Sequence, residues 1–466
     1  MKTIYIVAVV VYLLGISAYG FYVNKKYVKT NDDFVAAGHS LPLHILIGTL
    51  LATWMGSGMI TGTANFIYEY GPIAAIFFLI GEPIGLLLIA IFLAKRVKEK
   101  MSYTIPELFE KKYGPVARII VAICIVLAYL GIVSNQFSAG GLILNLITGV
   151  SVEVGTIISA IFVVFLSVVG GLVSVAYTDA IGTLIIFIAM IAGLPFAVSQ
   201  AGGVTDFIAA IPAEKTTLTG GLSNIQLIGY MLPVIFLVLG EQNIYQRFAA
   251  AKDPKEAQKS GFGLFWLAIL LDFLVITITA TAIVLYPNLK NPDTAFFQVA
   301  MGVPQAIGAI LMACSVALFI TTADSYLLSA ATNVVYDIWV RLLKPNATDD
   351  QKLKATRICI ILLAILALAT GSLFPSLLNV QMYAYSMYGA AITPALLGAL
   401  FWKKATKAGG LCSILVGGGT VLIWDVVLKT PGGFNSILLA GPLAILALII
   451  VSLLTQITQK KYIKNL

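Results

Sequence analysis

Residues 50–63 read LLATWMGSGMITGT, a stretch apolar enough for a membrane span but interrupted by three glycines. Each glycine weakens a helix by about 1 kcal/mol relative to alanine, and unwound backbone within a membrane is tolerated only where it is buried in protein or lines a cavity. Unwinding here would free the carbonyls of Ala52 and Met55 for a cation and present Ser57 to a solute. The alternative is a continuous helix whose small residues allow close packing. The spacing alone leaves both interpretations open.

The chain as a whole has the composition of a membrane protein. Of its 466 residues, 59% are hydrophobic and 11% are charged, which is far from the balance of a soluble domain. It contains about thirteen apolar runs of spanning length, and the first, from Thr3, is long enough to be retained as a helix. We therefore expect an all-α polytopic protein of the inner (plasma) membrane, with the lipid bilayer around it.

The positions of the basic residues predict how the chain is oriented. With the N-terminus outside and the C-terminus inside, 25 of the 29 lysines and arginines fall in cytoplasmic segments, as the positive-inside rule requires. The basic residues recur in alternate loops and form no single basic face, so we expect no nucleic-acid partner. The two histidines and four scattered cysteines lack the spacing of a metal cluster.

The pattern of spans predicts one transmembrane unit over residues 1–466. A broken second span and an odd number of helices favour two inverted five-helix repeats with flanking helices. The first repeat is predicted over 43–200, followed by a long outside loop, and the second over 225–402. Residues 403–466 then form the C-terminal flanking helices. We expect no obligate protein partner.

Ionisable residues inside the spans are the strongest functional signal, because each costs roughly 2.5 kcal/mol or more on insertion. No lysine or arginine is expected deep enough to neutralise them, so small cations or protons are the expected partners. The carboxylates concerned are Glu82, Asp179, Glu241, Asp272, Asp324 and Asp425.

The ninth span contains ALFITTADS at residues 317–325. Thr321, Asp324 and Ser325 share one face of a helix because they are three and four residues apart. Oxygen ligands at this density suit an alkali ion. The alternative is that each threonine only bonds the carbonyl one turn back.

The seventh span ends with LGEQNIYQR at residues 239–247. Its polar residues either face a solute cavity or mark the point where the helix leaves the membrane. Arg247 is expected at the cytoplasmic surface, whereas Glu241 and Gln242, about a turn or more deeper, are candidates for the cavity.

Two other classes of function compete with transport. An intramembrane enzyme would need a nucleophile with its base or a set of metal ligands, and the chain shows no such motif. A channel is the stronger rival, but it would need a repeated pore loop or a charged ring. We therefore expect a transporter and no enzyme.

Six segments together resemble the sodium:solute symporter family. The resemblance implies a LeuT-type 5+5 inverted-repeat core of about 13 helices with an extra leading helix. It also implies sodium-coupled import of a small organic solute by alternating access, with a proton-coupled symporter of the same fold as the alternative. The segments are NDDFVAAGHSLP (31–42), ATW (52–54), YTIPELFEKKYG (103–114), GGLVSVAYTD (170–179), QR with AK (246–247 and 251–252) and TTADS (321–325).

The resemblance also implies site residues. The main sodium site would use the carbonyls of Ala52, Met55 and Leu318 with the hydroxyls of Thr321 and Thr322. A possible second sodium would bind Asp179, Asp324 and Ser325. The candidate solute residues are Trp54, Ser57, Glu241 and Gln242.

Trp54 bears on the choice of solute. Proline transporters of the family carry an aspartate in the second span, so Trp54 makes proline a less expected solute and is more similar to the choline branch. Another aromatic of that branch aligns near Glu241, so a complete aromatic cage for a quaternary ammonium is not expected.

Overall fold

The computed structural model describes residues 2–27, 33–34, 37–101, 103–371, 373–374 and 376–464, so Asn31, Asp32, Val35 and Ala36 of the segments quoted above lie outside it. Twelve of its helices are long and apolar enough to span a membrane, and a pair bent by 52° makes a thirteenth span. The predicted all-α architecture of about thirteen spans is confirmed.

We number the spans α1 (Thr3–Tyr27), α2 (Leu43–Trp54 with Ser57–Tyr70), α3 (Pro72–Lys100), α4 (Pro115–Thr148), α5 (Val152–Val169), α6 (Gly171–Gln200), α7 (Asn224–Ala250), α8 (Pro254–Leu285), α9 (Gln305–Leu343), α10 (Asp349–Gly371), α11 (Leu377–Phe401), α12 (Lys407–Val427) and α13 (Ile437–Ile457).

The spans divide into an enclosed core and a periphery. The most apolar stretch of α9 is 83% buried and that of α11 is 72% buried, whereas the corresponding values for α1 and α10 are 22% and 28%. A helix whose apolar side chains face outward can be solvated by lipid, but an enclosed one must satisfy its polar groups within the protein. The polar segment of α9 therefore lies where protein groups surround it.

Local sequence signals set where several spans begin. Proline occupies the first helical position of α3 and α8, where its missing N–H costs no hydrogen bond. Asp253 caps α8 by accepting from the amides of Lys255 (2.8 Å) and Glu256 (2.9 Å). Ser223 and Gln226 form a capping box at the start of α7.

Two core spans are broken in the middle. In α2 the first helical segment ends at Trp54, and Met55 (φ −86°, ψ 83°) and Gly56 (φ −90°, ψ −173°) leave the helical conformation. In α7 the break falls at Glu241, which is extended (φ −66°, ψ 114°) between Asn224–Gly240 and Gln242–Ala250. Each break lies in the first helix of a predicted repeat.

Ion pairs join the short helix Ile105–Tyr113 to the end of α9. Arg118 lies 2.6 Å from Glu110 and 2.7 Å from Asp337, and Arg341 contacts Glu110 at 2.5 Å. Partial burial alone would raise the pKa of the Glu110 carboxyl, but the hydrogen bonds and charges of the two arginines lower it below its usual value. This cluster fastens one end of the core helices together.

Candidate functional site

The break in α2 places a backbone carbonyl opposite the threonines of α9. In a continuous helix the Gly56 amide would donate to the Ala52 carbonyl, but here it donates to Trp54 at 3.2 Å. The Ala52 carbonyl instead accepts from Thr321 (3.1 Å) and Thr322 (3.2 Å). The break therefore exchanges a helix bond for contacts between two spans.

The threonine hydroxyls also bond within their own helix. Thr321 donates to Ala317 (2.9 Å) and lies 3.4 Å from the Leu318 carbonyl oxygen. The interpretation that the hydroxyl bonds the carbonyl one turn back is confirmed for Thr321, and its role as an ion ligand stays a prediction. Oxygens of Ala52, Leu318, Thr321 and Thr322 converge, and Met55 occupies the unwound turn beside them.

Gly56 allows the two helices to approach this closely. A Cβ atom at Gly56 would lie 2.7 Å from the Thr322 hydroxyl and 3.1 Å from the Gln136 side-chain oxygen. A contact under 3.0 Å would force the Thr322 side chain to move, so the missing side chain of Gly56 permits this close approach. Of the two interpretations of the glycine-rich stretch, the structure contains the unwound turn and uses its glycine for close packing as well.

Gln136 of α4 supports the unwound turn and was missed by sequence reasoning. Its side-chain oxygen accepts from the Ser57 amide (2.8 Å) and the Ser57 hydroxyl (2.6 Å). Ser57 is fully buried, is bonded to Gln136 and does not border the cavity beside the unwound turn. The signal available in the sequence was the polar pair Asn135 and Gln136 within an apolar 34-residue helix.

Arg247 corrects the sequence analysis, because it is fully buried and not at the surface. Its guanidinium donates to Ser325 (2.7 Å) and Thr49 (3.1 Å) and lies 3.6 Å from an oxygen of Asp179. The expectation that no basic residue reaches the intramembrane carboxylates was therefore wrong. After the break at Glu241, the second half of α7 packs against the first half of α2, which a count of distance along a straight helix could not show.

The residues of the predicted second cation cluster lie close to Arg247. One oxygen of Asp179 accepts from Thr49 (2.7 Å) and Thr53 (3.2 Å), and Ser325 lies 3.2 Å from Thr53. The other oxygen of Asp179 and one oxygen of Asp324 are buried without a hydrogen-bond partner. The cluster thus combines two carboxylates, one guanidinium and two unsatisfied oxygens.

A small cavity of about 30 Å³, the central cavity, lies beside the unwound turn. This volume holds about one water-sized group, so the walls must move apart for a larger solute. Of the four candidate solute residues, Trp54 borders this cavity, whereas Ser57, Glu241 and Gln242 do not. Its lining includes Trp54, Glu82, Thr322, Tyr326, Gln381 and Tyr385.

Glu241 and Gln242 belong to a buried network at the break of α7. Tyr129 donates to Glu241, which also accepts from the amide of Asn243 at 3.1 Å. The Gln242 side chain donates to Ser329 (2.8 Å) and accepts from the Ile105 amide (3.0 Å). These contacts tie α7 to α4, α9 and the short helix Ile105–Tyr113, and so close the core on the side of the Arg118 ion pairs.

Comparisons with known proteins agree with this architecture. The model of the sodium:solute symporter family matches residues 34–417. The osmoregulated proline transporter OpuE of Bacillus subtilis (strain 168) is 26% identical, with 97% of this chain and 95% of the relative covered. The sodium/proline symporter of Staphylococcus aureus (strain JH9) is also 26% identical, and the match covers 92% of this chain and 88% of the relative.

Solved structures show the same fold. A Na⁺-coupled sialic acid symporter, in a substrate-bound outward-open state, superposes with a TM-score of 0.82 at 18% identity over 97% of both chains. MhsT in complex with L-phenylalanine gives a TM-score of 0.57 at 15% identity, covering 89% of this chain and 98% of that one. The predicted LeuT-type fold is confirmed.

Proposed function

The chain belongs to the sodium:solute symporter family, and we propose how its residues couple sodium entry to solute import. As in the rest of the family, sodium is the coupling ion and a small organic solute is the cargo. Because the relatives are bacterial transporters, we assign the protein to the plasma membrane, where it works without an obligate protein partner and without enzymatic activity.

One observation carries the assignment of the ion site. Ala52 on α2 and the threonines of α9 meet across the unwound turn, with hydroxyl-to-carbonyl distances of 3.1 and 3.2 Å. Hard cations prefer oxygen ligands, and carbonyls freed at half-helix ends coordinate sodium in this class of transporter. Sodium would bind the carbonyls of Ala52, Met55 and Leu318 and the hydroxyls of Thr321 and Thr322.

This arrangement explains how binding could drive a conformational change. A ligand shifts an equilibrium only through its different affinities for the two states. The proposed ligands lie on α2 and α9, which belong to different predicted repeats, over 43–200 and 225–402. Sodium therefore favours the state in which these two helices are held together.

The electrochemical gradient supplies enough free energy for accumulation. A sodium ion entering an inside-negative cell gains about 2.3 kcal/mol per 100 mV and about 1.4 kcal/mol per tenfold concentration ratio. One ion can thus sustain solute accumulation on the order of several hundredfold. A second ion would multiply this limit.

We retain the second sodium at Asp179, Asp324 and Ser325 as part of the proposal. Its support is that both carboxylates keep an unpaired buried oxygen. With both carboxylates ionised, Arg247 leaves the cluster with one net negative charge, which a sodium ion would neutralise.

Exchange of the driving ion tests the proposed coupling. Purified protein is reconstituted into liposomes, and a labelled solute found by thermal-shift screening is added outside. Uptake of this solute is then compared under sodium, potassium and pH gradients. We expect only the sodium gradient to drive accumulation. Uptake driven by a pH gradient in sodium-free buffer would instead establish the proton-coupled alternative, and currents far above transporter turnover would establish a channel.

A further inference from the structure

Two buried carboxylates lie outside the sodium site and the networks described above. Glu82 on α3 and Asp272 on α8 are only 2% and 8% exposed. Their charges interact with one another, and Leu79 lies between them, bordering both the central cavity and the space beside Asp272. Each keeps one buried oxygen without a hydrogen-bond partner.

Glu82 and Trp54 both line the central cavity. The Oε1 atom of the Glu82 carboxylate is buried without a hydrogen-bond partner. A buried acceptor without a donor costs free energy that a ligand can recover. Glu82 therefore presents an unused negative acceptor beside an aromatic ring.

Gln381 of α11 presents a second unused acceptor to the same cavity. Its amide nitrogen donates to the Tyr385 hydroxyl at 3.1 Å, which directs the amide oxygen the other way. That oxygen is buried and unpaired and lies 2.1 Å from where a Cβ atom at Gly62 would stand. The glycine thus allows the amide to reach the unwound part of α2.

The lining of the cavity contains acceptors but no positive charge. Among the lining residues described, none is lysine, arginine or histidine. The two unpaired polar atoms, on Glu82 and Gln381, are both oxygens. An anionic group would be repelled here, whereas a cation that donates hydrogen bonds would satisfy both oxygens and be stabilised by the Trp54 ring.

We propose that Glu82, with Gln381 as second acceptor and Trp54 as aromatic wall, binds a protonated amine of the solute. Asp272 borders a neighbouring space and does not line the central cavity. The cavity of about 30 Å³ has room for a group of ammonium size, and the rest of the solute requires the walls to separate. This inference rests on the proposed symport and specifies its substrate class.

Calorimetry at saturating sodium, with the full chain in detergent, tests the substrate class. The probes are ethanolamine, methylammonium and proline as amines, galactose as a neutral polyol and pyruvate as an anion. We expect at least one amine to bind, with no binding of pyruvate. Binding of galactose or pyruvate without any amine, or absence of binding by all three amines, overturns the inference.

Variants then assign the contact. Glu82→Gln keeps the shape but removes the charge and should weaken the amine by about 30-fold, in the range of a buried charge-assisted contact. Asp272→Asn should weaken it by no more than about threefold, because Asp272 does not line the central cavity. Asp425→Asn is the matched control, since Asp425 is 7% exposed, is paired with Ser436 and does not line the cavity. The amine affinity of this variant should stay within about twofold of the native value.

Sodium binding alone separates this inference from the proposed function. Sodium should stabilise the native protein and Glu82→Gln equally against thermal unfolding, which also shows that the variant is folded. If sodium fails to bind the native protein, the proposed symport fails. If sodium binds but the amine affinity of Glu82→Gln equals that of the native protein, only the amine site is wrong.

Discussion

The breaks in α2 and α7 differ in what satisfies their backbone. At the α2 break, the Ala52 carbonyl accepts from threonine hydroxyls of α9, which lies in the other predicted repeat. At the α7 break, the Tyr388 hydroxyl donates to the Gly240 carbonyl (2.9 Å) and accepts from the Gln242 amide (3.0 Å).

The difference between the two breaks concerns motion as well as bonding. Tyr388 lies on α11, within the same predicted repeat as α7, so this contact can move with the helix it supports. The contact at α2 joins two repeats, and rotatable hydroxyls can turn their lone pairs toward an ion. We infer that the α2 break couples sodium to movement, whereas the backbone of the α7 break is held within its own repeat and reaches the other repeat only through the side chains of Glu241 and Gln242.

Gly56→Ala should have the largest effect of the four tests, and it acts on sodium binding at the α2 break. The added methyl group would meet Thr322 at 2.7 Å, and overpacking of this kind costs about 1–3 kcal/mol. Sodium affinity, measured by sodium-dependent thermal stabilisation, should fall by up to about 100-fold. Gly419→Ala is the control, because a Cβ atom there meets nothing within 4 Å; equal effects of both substitutions would contradict the assignment.

Asp179→Asn tests whether the region near the α2 break holds one ion or two. Reversal potentials in proteoliposomes give the number of sodium ions per solute directly. We expect a ratio of two in the native protein and one in the variant. A native ratio of one would end the proposal of a second site and leave Arg247 as the only positive partner of Asp179 among the residues described.

Thr321→Ala and Thr322→Ala should each raise the sodium concentration for half-maximal uptake by about tenfold, since each removes one ligand oxygen, worth about 1.4 kcal/mol. Thr277→Ala serves as control, because the Thr277 hydroxyl bonds only the Phe273 carbonyl one turn back (2.8 Å) on an exposed face. Unchanged sodium dependence in both site variants would place the ion elsewhere.

Tyr388→Phe should have the smallest effect. It removes one neutral hydrogen bond on each side of the α7 break, so we expect a change of about fivefold in the maximal uptake rate. The half-maximal sodium concentration should change by less than about twofold. A large shift in sodium dependence would show that the α7 break is also part of the ion-coupled movement.

The comparison with relatives leaves substrate choice to the side chains of the cavity. Proteins named as proline transporters are 26% identical to this chain over nearly its whole length, yet Trp54 stands where the family resemblance implies an aspartate in proline transporters. A shared fold does not specify a shared solute. In this protein the acidic group at the cavity is supplied by Glu82 of α3.

The sequence alone determined the features that follow from local chemistry. Runs of apolar residues predict the thirteen spans, the glycines around Gly56 mark the place where α2 either breaks or packs closely, and the oxygen-rich segment with Thr321 and Thr322 supplies candidate ligands of the proposed ion site. These features depend on the residues within one span and their spacing. They could therefore be read without knowing which helices meet.

Only the tertiary structure decided which polar residues share a space. Three pairs show this: Arg247 is buried beside Asp179, Ser57 is bonded to Gln136, and Glu82 and Gln381 line the same cavity. The members of each pair are separated by 68 or more positions in the chain. A hydrogen bond or ion pair depends on the faces that two helices present to each other. That choice is made by packing of the whole core and leaves no periodic signal in either helix alone.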